Sequence, residues 1–204
     1  MKVTAIKRQQ KNPNRFSVYL DHKYGFSLDQ NQLIELGVKI GVDLTKDEIS
    51  KLRSSSDFGK LVDKTLRFLS IRRRSKKELI EYLKRKSSGD QISEIIQKME
   101  GWGYVDDEKF ATAWISDKRD IRHRSNRRLR FELNQKGVDK EIIDRLLNNT
   151  AEDEKLALKN LIAKKRKISR YKDHDKLTNF LLRQGFNYFD IKSELDSNLR
   201  KDEK

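Results

Sequence analysis

Three stretches of this 204-residue chain repeat one helical pattern. They are Ser75-Lys-Lys-Glu-Leu-Ile-Glu-Tyr-Leu-Lys-Arg-Lys86, Ser125-Asn-Arg-Arg-Leu-Arg-Phe-Glu-Leu-Asn-Gln-Lys-Gly137 and Asp173-His-Asp-Lys-Leu-Thr-Asn-Phe-Leu-Leu-Arg-Gln-Gly185. Alignment superposes Leu79, Leu129 and Leu177, then Leu83, Leu133 and Leu181, and finally Lys86, Lys136 and Gln184. The first aligned leucines are 50 and 48 residues apart, so the chain carries an internal repeat. Apolar residues recur three and four apart, the spacing that lines one face of a helix. An earlier helix in each unit ends in Leu66-Arg-Phe-Leu69, Ala111-Thr-Ala-Trp-Ile115 or Leu156-Ala-Leu-Lys-Asn-Leu161. A later one holds Ile92 to Met99, Ile142 to Leu147 or Ile191 to Leu195. Gly137 and Gly185 supply left-handed helix stops, whereas Ser87-Ser-Gly-Asp90 makes a longer connection in the first unit. A triplet of roughly 50 residues buries little alone, so units must pack on neighbours or act together on a partner.

Residues 1–56 follow a different period. Lys2-Val-Thr-Ala-Ile-Lys7 and Arg15-Phe-Ser-Val-Tyr-Leu20 alternate β-branched and aromatic residues with others around the turn Asn12-Pro-Asn14, which predicts a hairpin. Asp21-His-Lys turns the chain into a third strand, Tyr24-Gly-Phe-Ser-Leu28. Asp29 caps a short helix ended by Gly37, and Thr45 with Glu48 has the spacing of a capping box. Ser54-Ser-Ser56 reads as a hinge. The expected fold is mainly α: a small β-hairpin-containing N-terminal domain over 1–56, then three-helix repeats over 57–106, 107–150 and 151–204 forming an elongated module.

Charge narrows the function. Charged residues make up 39% of the chain against 35% hydrophobic, and the net charge is +15. Residues 1–56 contribute +4 and residues 57–204 contribute +11. Within the repeats, 72–86, 109–136 and 159–176 each carry +6. Lysines and arginines often only solvate a helix face. One cluster in each of three repeats instead predicts a stripe able to bind a phosphate backbone without reading bases. The candidate residues are Arg72, Arg73, Arg74, Lys76, Lys77, Lys84 and Arg85 in the first repeat. Arg122, Arg124, Arg127, Arg128 and Arg130 follow in the second, and Lys164, Lys165, Arg166 and Lys167 in the third. Successive helical positions turn by about 100°, so only about half can face one partner.

Other chemistries find no foothold. No cysteine is present, which removes disulfides, thiolate zinc sites and cysteine nucleophiles and suits a reducing cytosol. The first ten residues lack the apolar core of a signal peptide, and no stretch reaches the roughly 20 apolar residues of a membrane span. His22, His123 and His174 have no metal-ligand spacing, and neither a phosphate-cradling glycine loop nor a serine-nucleophile elbow occurs. Gly103-Tyr-Val-Asp-Asp has a structural reading: Gly101 and Gly103 turn the chain, Tyr104 and Val105 pack, and Asp106 or Asp107 caps the helix carrying Phe110, Ala111 and Trp114. Asp106, Asp107 and Glu108 as metal ligands are the sharper alternative, but adjacent positions rarely converge on one ion. Trp102, Trp114, Phe131 and Phe186 stand at helical spacing, which favours core positions over base stacking.

At Arg73-Arg-Ser-Lys-Lys-Glu-Leu79, Gly103-Tyr-Val-Asp-Asp-Glu-Lys-Phe-Ala111 and Arg128-Leu-Arg-Phe-Glu-Leu-Asn-Gln-Lys-Gly137 the sequence resembles the RecX family, regulators of the RecA recombinase. The likeness covers roughly residues 60 to 200, and the β segment resembles that of longer members. Ser125 stands where many members place a glycine. The resemblance implies a non-enzymatic, cytoplasmic protein without a cofactor that lies in the groove of the RecA–single-stranded DNA filament. It implies suppression of RecA's ATPase, strand-exchange and LexA-coprotease activities. Single-stranded DNA and double-stranded DNA are further implied partners; a membrane is not, and the chain is expected to be a monomer.

Overall fold

The computed structural model describes residues 1–202 apart from Ser88 and Asn149, with only the backbone described from residue 197 on. It is mostly helical behind a small N-terminal sheet, as expected. Two compact units divide the chain, one formed by Met1–Arg72 with Leu83–Ile95, the other by Arg73–Tyr82 with the residues from Ile96 on.

In the first unit β1 (Val3–Arg8), β2 (Arg15–Leu20) and β3 (Lys23–Asp29) form an antiparallel sheet in that order. Val18 pairs with Ile6 on one side and Phe26 on the other. Asp21 and His22 adopt positive φ (45° and 65°), which closes the β2–β3 turn. One face buries Val3, Val18, Leu20, Phe26 and Leu28 against Val38, Ile49 and Leu52. Asp29 caps α1 (Gln30–Glu35) through a capping box with Gln32. Thr45 and Glu48 do the same for α2 (Lys46–Ser70).

The expected hinge at Ser54–Ser56 lies inside α2 instead. Ser56 is buried because its small side chain lets β3 approach: its hydroxyl accepts from the Ser27 amide, and its carbonyl accepts from Arg15 of β2. Arg15 is itself buried and also bonds the Ser27 carbonyl and Asp63, so an inward-facing cation in a strand is fully engaged.

Beyond α2 come α3 (Lys76–Lys84) and α4 (Gly89–Gly101), with Leu79, Leu83, Ile95 and Met99 fully buried. The connection expected over 87–90 is shorter, since Gly89 already begins α4; Ser88 lies outside the described residues. In the second unit α5 (Asp107–Arg122), α6 (Asn126–Gln135) and α7 (Lys140–Leu147) enclose Phe110, Ala111, Leu129, Leu133, Ile143 and Leu147. A like core joins α8 (Ala151–Arg166), α9 (His174–Arg183) and α10 (Tyr188–Asp202) around Leu158, Ile162, Leu177, Leu181, Phe186 and Ile191. The aligned leucines of all three repeats are therefore core residues. Gly137 and Gly185 have φ of +75° and +91°, the left-handed stops expected of them.

Candidate polyanion interface

The basic clusters are organised by contacts between successive aligned helices. Ser75 accepts from the Glu78 amide, as a helix cap should, while its hydroxyl donates to the carbonyl of Lys136 at the end of α6 (2.7 Å). Ser125 repeats the arrangement, accepting from the Arg128 amide and donating to the carbonyl of Gln184 at the end of α9 (2.7 Å). Gly137 and Gly185 follow these carbonyls and admit the neighbouring helix closely. A Cβ on Gly137 would lie 2.7 Å from the Lys77 Cβ, and one on Gly185 would lie 2.8 Å from the Ser125 hydroxyl. Ser125 itself has φ of −68°, so this turn requires no glycine.

Around the Ser125–Gln184 contact, cations from the second and third repeats converge. A cavity of about 380 Å³ is lined by Arg122 and Arg124 from the end of α5, Lys164 and Lys165 from the end of α8, and Gln184. A second, of about 360 Å³, is lined by Arg127, Arg128, Phe131, Leu182, Arg183 and again Gln184. Neither lining includes a carboxylate. Beside them Glu132 is bonded by Arg128 (3.1 Å) and by the Trp114 indole (3.2 Å), with Arg124 at 3.6 Å, so its charge is offset and it orients two of the arginines. Cations in the last turns of α5 and α8 complement the carbonyl-rich termini of those helices.

The other candidate residues have different surroundings. Lys76 pairs with Glu100 (2.7 Å), and the Lys77 ammonium donates to the Gln135 carbonyl, so both serve the fold. Arg130 pairs with Asp144 and bonds Asn148. Lys165 lies over the rings of Phe180 (4.8 Å) and Tyr171. Arg72 and Arg73 are exposed, and Arg74 and Arg166 are half-buried. Lys84, Arg85, Arg122, Arg127, Lys164 and Lys167 make no hydrogen bond or ion pair among the described residues and are mostly exposed, which leaves them available to an anion. Arg183 lies outside the three charge clusters, so the sequence does not single it out, although it stands in the third aligned block.

Aromatic placement also departs from expectation. Phe186 is buried and Trp114 half-buried, but Trp102 and Phe131 are each 51% exposed. Tyr104, expected to pack, is 57% exposed beside Trp102, whereas Val105 is buried. Asp106 accepts from the Glu108 and Lys109 amides and caps α5; the Lys109 hydrogen bond holds its pKa below the ordinary value. Asp107 accepts from the Lys76 amide (2.8 Å), and burial pushes its pKa up. Glu108 pairs with Arg145. The three adjacent carboxylates thus each serve separate partners.

The comparisons agree with this architecture. The model of the regulatory protein RecX N-terminal domain matches residues 1–45, and that of the RecX second three-helix domain matches residues 106–147. Regulatory protein RecX of Bacillus velezensis is 33% identical over 200 residues, covering 95% of this chain and 76% of the relative. The chain belongs to the RecX family. Regulatory protein RecX of Clostridium perfringens is 32% identical over 195 residues, covering 92% of this chain and 91% of its own. A crystal structure of regulatory protein RecX shares the fold with a TM-score of 0.76 at 23% identity, covering 96% of this chain and 98% of that one. RecX from Lactobacillus salivarius gives 0.61 at 22% identity over 69% and 96% of the two chains. In this RecX-family chain the matched span 106–147 contains the Asp106 cap, the Ser125 contact and all five second-repeat candidates.

Proposed function

We propose that this chain is a non-enzymatic, cytoplasmic regulator of RecA that binds along the groove of the RecA–single-stranded DNA filament. Its chief effect is to restrain ATP hydrolysis, strand exchange and coprotease activity, and so recombination and the SOS response. The observation that carries the reading is the convergence of Arg122, Arg124, Lys164 and Lys165 with Arg127, Arg128 and Arg183 on cavities lined by no carboxylate. Such a face suits a phosphate backbone or an acidic protein surface. RecX-family membership supports RecA as the partner, which bulk charge cannot specify. The division into an N-terminal domain over 1–56 and repeats over 57–106, 107–150 and 151–204 belongs to the same proposal, as does action as a monomer.

A second reading, RecA-independent and sequence-nonspecific DNA binding, is favoured by the +15 charge alone. Salt separates the two. A pure phosphate binder weakens with a slope of about −0.7 per neutralised phosphate on single strands. Measuring binding to naked single-stranded DNA and to RecA-coated DNA across a salt series is the test. Filament binding that persists where naked-DNA binding is lost supports the first reading; parallel loss supports the second.

A further inference from the structure

We propose that Phe131, with Arg127, Arg128 and Arg183 around it, forms a stacking subsite for one unpaired base of a single-stranded nucleic acid. The inference rests on the reading that this face meets nucleic acid and adds that bases, as well as phosphates, are touched.

The repeat supplies the first argument. Two residues after the first aligned leucine stand Glu81, Phe131 and Asn179 in the three helices, and all three are exposed. The backbone directs this position to solvent in every repeat, and two repeats fill it with a polar side chain. The second fills it with a phenylalanine that joins no ring pair among the described residues. Burial in a core therefore does not account for it.

The surroundings supply the second. Phe131 and the 38%-exposed Leu182 provide an apolar floor to the 360 Å³ cavity, a volume within the range of small-molecule sites. The Arg128 guanidinium carbon lies 5.6 Å from the Phe131 ring centroid, with its Nε held by Glu132, so the ring and the cation are fixed relative to each other. Arg127 and Arg183 line the same cavity, and beyond Gln184 the next cavity adds Arg122 and Lys164. A nucleic-acid strand carries a phosphate on both sides of every base and fits cations flanking an apolar floor. An acidic peptide offers carboxylates only where its sequence places them. Stacking on an aromatic ring beside a basic track is how sequence-tolerant single-strand binders work.

The test compares a fluorescein-labelled oligothymidylate of about 20 nucleotides with an abasic deoxyribose-phosphate chain of the same length, by anisotropy. Wild type, Phe131→Ala and Phe131→Trp are used, with helix content checked by circular dichroism. Phe131→Ala should lose about fivefold or more in affinity for oligothymidylate and nothing on the abasic chain, with an unchanged salt slope, while Phe131→Trp retains affinity. Equal affinity of Phe131→Ala and wild type for oligothymidylate would overturn the subsite. So would an equal loss on the abasic chain, or a loss confined to a glutamate-rich peptide containing phenylalanine. Assaying wild type on RecA filaments in parallel keeps the readings apart. If wild type suppresses filament ATP hydrolysis while Phe131→Ala binds oligothymidylate normally, the subsite falls and the filament reading stands; the converse pattern removes RecA and retains the subsite.

Discussion

Ser125 and Gln184 are joined by a single hydrogen bond of 2.7 Å from a side-chain hydroxyl to a helix-terminal carbonyl, and Ser75 and Lys136 repeat it at the same distance. A serine suits the position because its hydroxyl accepts from its own helix and donates to the next at once. In the third repeat the equivalent cap is Asp173, which accepts from the Lys176 amide and as a carboxylate donates nothing. The same contact that aligns two helices brings their basic residues together.

Ser125→Ala removes both the cap and the carbonyl's partner and should cost about 2 kcal/mol. Asp173→Ser keeps the cap and should change stability by less than about 0.5 kcal/mol. Gly185→Ala forces a side chain into φ of +91° and against Ser125, and should cost more than about 1 kcal/mol. Urea unfolding monitored by circular dichroism ranks the three.

Asp106 and Asp107 should give opposite pH dependence. The backbone hydrogen bond from Lys109 lowers the pKa of Asp106, so its stabilisation is present above the ordinary aspartate pKa and fades as pH falls through the depressed value. Asp106→Ala is therefore less stable than the parent at neutral pH, by a margin that narrows in acid. Burial raises the pKa of Asp107, so its favourable contribution is present in acid and lost as pH rises through the raised value. Asp107→Asn retains an oxygen for the Lys76 amide without the charge. It should be at least as stable as the parent at neutral pH and lose that advantage in acid. Urea midpoints from about pH 3 to pH 8 check both signs.

Arg127 and Arg130 are three residues apart but should behave differently. Arg127→Glu removes a cation with no ion pair among the described residues, so single-stranded DNA affinity should fall and its salt slope should flatten by about 0.7 for each phosphate no longer neutralised. Arg130→Glu sets a carboxylate against Asp144 and should lower the unfolding midpoint while leaving the slope unchanged. Anisotropy across a salt series, paired with urea unfolding, separates the two effects.

The strands and repeated helices were legible because their signals are local: alternation around Asn12-Pro-Asn14, leucines at fixed offsets, and glycines after Lys136 and Gln184. Ser56 misled because a small polar residue reads as linker, whereas here it makes room for Arg15 across 41 residues of chain. The division of labour among the cations was hidden for the same reason. Lys76 finds Glu100 and Arg130 finds Asp144 through packing, at separations that no helical periodicity encodes. The convergence of Arg122 with Lys164 likewise depends on where α5 and α8 end in space. Phe131 and Tyr104 read as core because apolar residues at helical spacing usually are, and only their exposure set them apart.

The most direct measurement of the central claim is the rate of ATP hydrolysis by RecA on single-stranded DNA as the purified protein is added, beside a variant carrying Arg122→Glu, Arg127→Glu and Lys164→Glu. Wild type should lower the rate to a plateau, and the variant, with unchanged helix content, should need a concentration at least tenfold higher. An unchanged rate at several-fold excess of wild type over filament sites would contradict the account, and equal potency of the variant would remove this basic face from the interaction.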